Sequence, residues 1–249
     1  MGKPAESLKC GRTLRAAVAL ALLATGLSAG SPAAAGSFQV NPVNVAMKAG
    51  RKTAALTIKN SDAAPVAVRV SAYRWTQENG IDVYSPTEDM VASPPIFTIA
   101  PGATQLVRIG IKGRGSGGAY RILLEEIPRQ RPDGAQIQVA LRLNLPLYIL
   151  SPGGGKPELS WSAWRDRAGD LFIGATNRGQ VHAQVLEIAA ADRAAGEKIL
   201  SQQMGVVLPG SARHWKIGRR SDFGVGSPMQ LKVRNPAGEM QANIVVEQR

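Results

Sequence analysis

The chain has a single cysteine, Cys10, in 249 residues. No disulfide framework can form within it, and thiolate chemistry has only that one position. Histidine is almost as scarce, with His182 and His214 alone. Neither has a cysteine, histidine or acid nearby at metal-ligand spacing, so both read as structural or surface residues and no metal is expected. Aromatic residues make up 5%; Trp75, Trp161, Trp164 and Trp215 are dispersed as packing residues, not gathered into a sugar platform. No apolar run approaches the roughly 20 residues that cross a bilayer as a helix. No stretch keeps a helical stripe for more than a turn or two.

Enzyme signatures are equally thin. Gly113–Gly118 matches G-x-G-x-x-G in form, but a strand-like segment closed by Pro128 follows it. A dinucleotide site needs a helix N-terminus there for the pyrophosphate. Gly26-Leu27-Ser28-Ala29-Gly30 has the spacing of a nucleophile elbow, in a segment read below as a targeting signal. Glu125 and Glu126, adjacent in a strand, would point to opposite faces and make a poor acid–base pair. No catalytic residue and no cofactor is therefore expected.

The first 35 residues read as an address. Lys3, Lys9, Arg12 and Arg15 form a basic start, Ala16–Ala24 is the apolar stretch, and Ala33-Ala34-Ala35 offers a small-residue cleavage site before Gly36. This is the pattern of a secretory signal peptide, and it contains Cys10. The expected product is exported and without cysteine, so its stability must come from packed cores. Removing four basic residues and Glu6 from 30 basic and 18 acidic residues leaves a net charge of about +9. Such a surface suits an acidic partner. Export and the lack of any helix-turn-helix, zinc-finger or RNA-binding motif argue against nucleic acid.

Almost everything after residue 36 alternates with period two. Thr53–Asn60, Val66–Trp75, Ile96–Ile99, Thr104–Lys112 and Ala119–Ile127 read as strands. Asn79-Gly80, Pro101-Gly102 and Pro132-Asp133-Gly134 mark turns. The most informative segment is Ile137–Ile149 (I-Q-V-A-L-R-L-N-L-P-L-Y-I), in which every odd position is a large aliphatic residue. As one strand its thirteen residues would span about 43 Å, against a usual strand of roughly 5–6 residues. Pro146 removes a ladder donor and points to an edge or exit. A long edge with an apolar face is an aggregation hazard, and its presence suggests pairing with another chain.

The expected fold is all-β: two consecutive immunoglobulin-like β-sandwich domains, with about seven strands in the first. Residues 1–35 are the signal peptide, 36–150 the N-terminal domain, 151–157 (S-P-G-G-G-K-P) a linker and 158–249 the C-terminal domain. In the second, strands are expected at Leu159–Trp164, Asp170–Thr176, Val181–Ile188, Arg213–Ile217, Met229–Val233 and Met240–Val246.

Three features carry a family resemblance. The first is Pro94-Pro95-Ile96-Phe97-Thr98-Ile99-Ala100-Pro101-Gly102 followed by Gln105-Leu106-Val107-Arg108. The second is the strand ending Glu126-Ile127-Pro128, and the third is Ile137–Ile149. In order and spacing they resemble the periplasmic pilus-chaperone family. That resemblance implies an ATP-independent chaperone that lends its long strand to an incomplete pilus subunit, with an outer-membrane usher as a further partner. By position the inserting residues would be Ile137, Val139 and Leu141, with Leu143 beside them, while Leu145 to Ile149 would belong to the chaperone's own core. The best-known branch places two basic residues in the cleft to hold the subunit's terminal carboxylate. The corresponding places here hold Asn44 and Asn144, so the chain looks more like the archaic, non-classical branch. Arg121, in the strand leading to Ile127-Pro128, is then the first candidate anchor and Arg142 the second. A self-capped oligomer of the free protein would cover the apolar strand between clients. Two other readings are a pilus or surface subunit with two sandwich domains, and an exported β-sandwich hydrolase. The subunit should carry an N-terminal donor extension, where only about Gly36–Val40 precedes the first strand. The hydrolase lacks an acid, nucleophile or metal cluster.

Overall fold

In a computed structural model of the chain, residue 2 and residues 38–112, 118–128, 139–192 and 196–249 are described. Among the described residues, every regular element is a β-strand. The described residues within 36–130 and 140–249 form one compact unit. Of the remainder, Gly2 and Val139 are described, and both are exposed.

The first sandwich packs two sheets. One has the order β1 (Phe38–Asn41), β3 (Thr53–Asn60), β8 (Thr104–Ile111), β6 (Met90–Ser93). The other runs β2 (Val45–Met47), β10 (Arg142–Ile149), β9 (Gly118–Ile127), β4 (Val66–Glu78), β5 (Ile81–Pro86), with β7 (Ile96–Ile99) also on β4. Strand alternation sends Leu56, Ile58, Val68, Val107, Ile109, Ile122, Leu124 and Leu147 into the shared core. Fully burying each such side chain stabilises the fold by roughly 1.5–3 kcal/mol. The β4–β5 hairpin turns on Asn79 and Gly80, both at positive φ (51° and 78°), as an Asn-Gly type I′ turn requires. The strands beyond the expected seven are mostly short: β1, β2 and β6 have three or four residues, too few to display an alternation.

The second sandwich contains a seven-stranded sheet, β15 (Gly196–Ser201), β14 (Glu187–Asp192), β18 (Pro228–Asn235), β19 (Gly238–Gln248), β11 (Leu159–Arg165), β12 (Leu171–Asn177), β17 (Ala212–Gly218), and a two-stranded sheet of β13 (Ala183–Val185) and β16 (Gly205–Val207). Leu171, Ile173, Val185, Ile188, Val207, Trp215 and Leu231 fill its core. The strand expected over Val181–Ile188 is in fact two. Leu186 separates them, donating its N–H to the Arg234 carbonyl at 2.8 Å, and the chain there passes from one sheet to the other.

The expected thirteen-residue strand is also shorter. It begins at Arg142, while Val139 to Leu141 pair with no strand among the described residues and Ile137 lies outside them. The ladder stops at the side chain of Glu126. β10 runs antiparallel to β9 with Arg142 opposite Glu125, and β9 ends at Ile127, one residue before Pro128. The last ladder bond is Glu126 N–H to the Leu141 carbonyl at 2.9 Å. Beyond it the N–H of Leu141 turns to the Glu126 carboxylate at 3.0 Å. Glu126 thus caps the strand, and Glu125 pairs with Arg142 at 3.2 Å.

Candidate functional site

Two features of β10 set up the site. Its aliphatic row loses burial toward its start: Leu147 is 0% exposed and Leu145 6%, Leu143 is half-buried against the same core, and before the strand begins Leu141 is half-buried and Val139 is 59% exposed. Its outer edge is open. β2 pairs in parallel with Leu147, Tyr148 and Ile149 only, so from Arg142 to Pro146 the side of β10 away from β9 has no neighbouring strand among the described residues. Pro146 has no N–H to leave unpaired there. A strand could be added along this edge with its side chains beside the aliphatic row.

That open edge ends in a cavity of about 310 Å³ whose lining includes Pro146, Asn44, Arg121, Asp82, Tyr148 and Arg213. Arg121 stands opposite Pro146 in β9 and opposite Tyr73 in β4. Its neighbours Tyr120 and Ile122 face the core, so alternation turns Arg121 to the other face of the sheet. Its guanidinium carbon lies 3.8 Å from the centre of the Trp75 ring and 5.7 Å from that of Tyr84, close enough for cation–π attraction. Among the described residues no carboxylate lies within ion-pairing distance of Arg121, and its Nε is buried without an acceptor.

Asp82 ties this region to the second sandwich. Its carboxylate accepts hydrogen bonds from Trp75 Nε1 at 3.0 Å and Gln77 Nε2 at 2.7 Å, and it pairs with Arg213 of β17. Burial alone would raise the Asp82 pKa, but the bonds from Gln77, Arg213 and Trp75 together hold it below the usual carboxylate range. Gln77 also donates to the Val206 carbonyl at 2.7 Å and accepts from the Leu208 N–H at 2.9 Å. Tyr148 stacks on His182 with ring centres 3.5 Å apart, and the N–H of His214 is donated to the Gly80 carbonyl at 2.9 Å. Trp75, Ala119, Tyr148 and Leu208 close the seam as a small apolar cluster.

Arg142 is elsewhere. Four residues along β10 from Pro146, roughly 13 Å away, its side chain is 65% exposed and paired with Glu125. Asn44 lines the cavity, and Asn144 is exposed outside it. Of the six-residue glycine motif, Gly118 starts β9 and the other five lie outside the described residues. Among the described residues no three histidine, cysteine or carboxylate side chains gather as a metal group would need.

Residues 37–154 match the family model for the pili and flagellar-assembly chaperones, PapD N-terminal domain. Over that segment the chain is similar to this chaperone family. It is a family of chaperones, not of enzymes, and its pilus chaperones are periplasmic. Solved structures agree on the fold. A chain of the CsuC–CsuE chaperone–tip adhesion subunit pre-assembly complex, from archaic chaperone-usher Csu pili of Acinetobacter baumannii, is similar over 86% of this chain and 99% of its own, with TM-score 0.65 and 21% identity. The Salmonella enterica SafA pilin–SafB chaperone complex is similar over 84% and 96%, with TM-score 0.58 and 14% identity. The E. coli chaperone DraB follows over 86% and 100%, with TM-score 0.55 and 17% identity. No curated protein sequence matches. The pilus-chaperone fold of two consecutive immunoglobulin-like sandwiches is therefore the fold of this chain.

Sequence reasoning named Arg121 but missed Asp82 and Arg213. Only one signal pointed toward Asp82: it sits two residues after the Asn79-Gly80 turn, where a hairpin exposes side chains to whatever packs above it. Nothing local marks Arg213.

Proposed function

We propose that this protein is a periplasmic, ATP-independent chaperone of the archaic branch, which holds exported pilus subunits by strand donation and passes them to an outer-membrane usher. The observation that carries the reading is the burial gradient along one row of β10, beside an edge that is open from Arg142 to Pro146. Leu145, Leu147 and Ile149 anchor the strand in its own core, and Ile137, Val139, Leu141 and Leu143 are the residues offered to the subunit. Three aliphatic side chains entering a subunit groove would supply about 5–9 kcal/mol before ordering costs. Each new ladder bond would add about 0.5–1.5 kcal/mol. No nucleotide is needed for such an exchange.

In this reading residues 1–35 direct export, 36–150 form the donor domain, 151–157 the linker and 158–249 the second domain. Arg121 receives the subunit's terminal carboxylate, because it lies where the open edge of β10 ends and has no carboxylate partner among the described residues. A guanidinium can grip a carboxylate with two parallel hydrogen bonds, which sets register as well as affinity. Arg142, exposed and already paired, is the weaker candidate. Co-expression with exported β-rich subunits followed by co-purification tests the proposal. Recovery of a one-to-one complex is expected, and failure to retain any such subunit would overturn it.

A further inference from the structure

The cavity at the end of β10 is built from both sandwiches, and its charges do not balance. Arg121 and Arg213 each bring one positive charge and Asp82 one negative. Tyr84 and Tyr148 stay neutral, since burial raises both phenols, that of Tyr148 to about 12. One positive charge is left over in a partly desolvated space. Arg213 also has an unused donor: its Nε is buried without an acceptor, as is that of Arg121. The room for Arg213 is made by Gly205, where a methyl group would come 2.5 Å from Arg213 Nε and 2.8 Å from the Trp215 ring. Five N–H groups on a guanidinium allow one side to stay on Asp82 while another binds elsewhere.

We propose that Arg213 is the second half of the anchor, so that the terminal carboxylate of a strand seated on β10 is shared between Arg121 of the first sandwich and Arg213 of the second. Asp82 is the internal carboxylate that occupies Arg213 when no client is present. This rests on the strand-donation reading above. Its consequence is that the bound terminus ties the two sandwiches together, and client capture stiffens the seam. A carboxylate has two oxygens and about four lone-pair positions, enough for both guanidinium groups.

The test uses an N-acetylated pentapeptide of alternating valine and threonine, as the free acid and as the C-terminal amide, titrated against the full chain. The ratio of the two affinities isolates the carboxylate from everything else that the peptide touches. Wild-type protein should prefer the acid by on the order of tenfold or more, and Arg121→Ala should abolish that preference. Arg213→Gln should lower the ratio by about tenfold. If Arg121→Ala loses the preference and a folded Arg213→Gln keeps it, the shared anchor is wrong and the strand-donation reading stands. If wild type shows no preference, the anchor reading and this one fall together. Asp82→Asn is the second variant, for the case that Arg213→Gln does not fold. It keeps an acceptor oxygen for Trp75 and Gln77 and removes the competing charge. The acid-to-amide ratio should rise severalfold, and an unchanged or lower ratio would overturn the inference.

Discussion

The guanidinium carbon of Arg121 lies 3.8 Å from the centre of the Trp75 ring. A cation held by an aromatic face is fixed in place without being neutralised, which a carboxylate partner would do. The ring is held in turn, since its N–H is donated to Asp82 at 3.0 Å. Orientation is therefore settled before any ligand arrives, and little ordering remains to be done when an anion binds.

Arg121→Ala should weaken subunit capture by about tenfold or more while reducing stability by about 0.5–2 kcal/mol, the range for a lost cation–π contact. Arg121→Lys keeps the charge but not the planar fork, so capture should return only in part. Arg142→Ala removes an exposed ion pair worth about 1 kcal/mol or less and should leave capture unchanged. Pull-down from periplasmic extracts alongside thermal melts distinguishes them. Normal capture by Arg121→Ala together with loss in Arg142→Ala would move the anchor to Arg142.

Val139 and Leu141 separate donation from folding. Val139 is exposed, so Val139→Asp should change stability by no more than about 0.5 kcal/mol. Leu141 packs against the core at its rim, and Leu141→Asp should cost about 1–3 kcal/mol. Both should lose capture, since a carboxylate cannot enter a dry subunit groove unpaired. Circular dichroism checks the fold. Undiminished capture by folded Val139→Asp would remove the strand-donation reading.

Acid should loosen the seam in two stages. His182 has its pKa lowered from 6.5 by burial, so the folded state disfavours the charged ring. That contribution is complete above 6.5 and is lost as pH falls through the lower folded value. Asp82 is lowered from 3.8, and its contribution is present above 3.8 and lost below it as the carboxylate protonates. Melting temperature should therefore fall below pH 6.5 and again below 3.8. His182→Phe should shrink the first stage, to which His214, lowered by burial and by Arg249, also contributes; Asp82→Asn should flatten the second, and a profile unchanged in both variants would refute the assignment.

The free protein should self-associate weakly, because an open edge with an apolar row is normally covered. Sedimentation at increasing concentration should show an oligomer that a bound subunit dissolves. A chain that stays monomeric at high concentration, with no hydrogen-exchange protection over residues 137–141, would exclude self-capping and leave strand donation standing.

Much of the fold was legible because a strand writes its two faces into alternate residues. Thr53–Asn60 and Ile96–Ile99 have the bounds that alternation predicts, and Asn79-Gly80 turns as its chemistry demands. The buried run Leu145, Leu147, Ile149 was readable in the same way. Alternation says which face a residue takes. It does not say which neighbour the strand finds or how far the pairing runs. The start of β10 at Arg142 depends on the Glu126 carboxylate taking the Leu141 N–H, and the break at Leu186 depends on β16 and β18 lying in different sheets. The pairing of Asp82 with Arg213 joins residues 131 apart. A charge at either position looks like an ordinary solvated surface residue until folding removes the water between them, and that step belongs to the packing of two sandwiches, which no local pattern records.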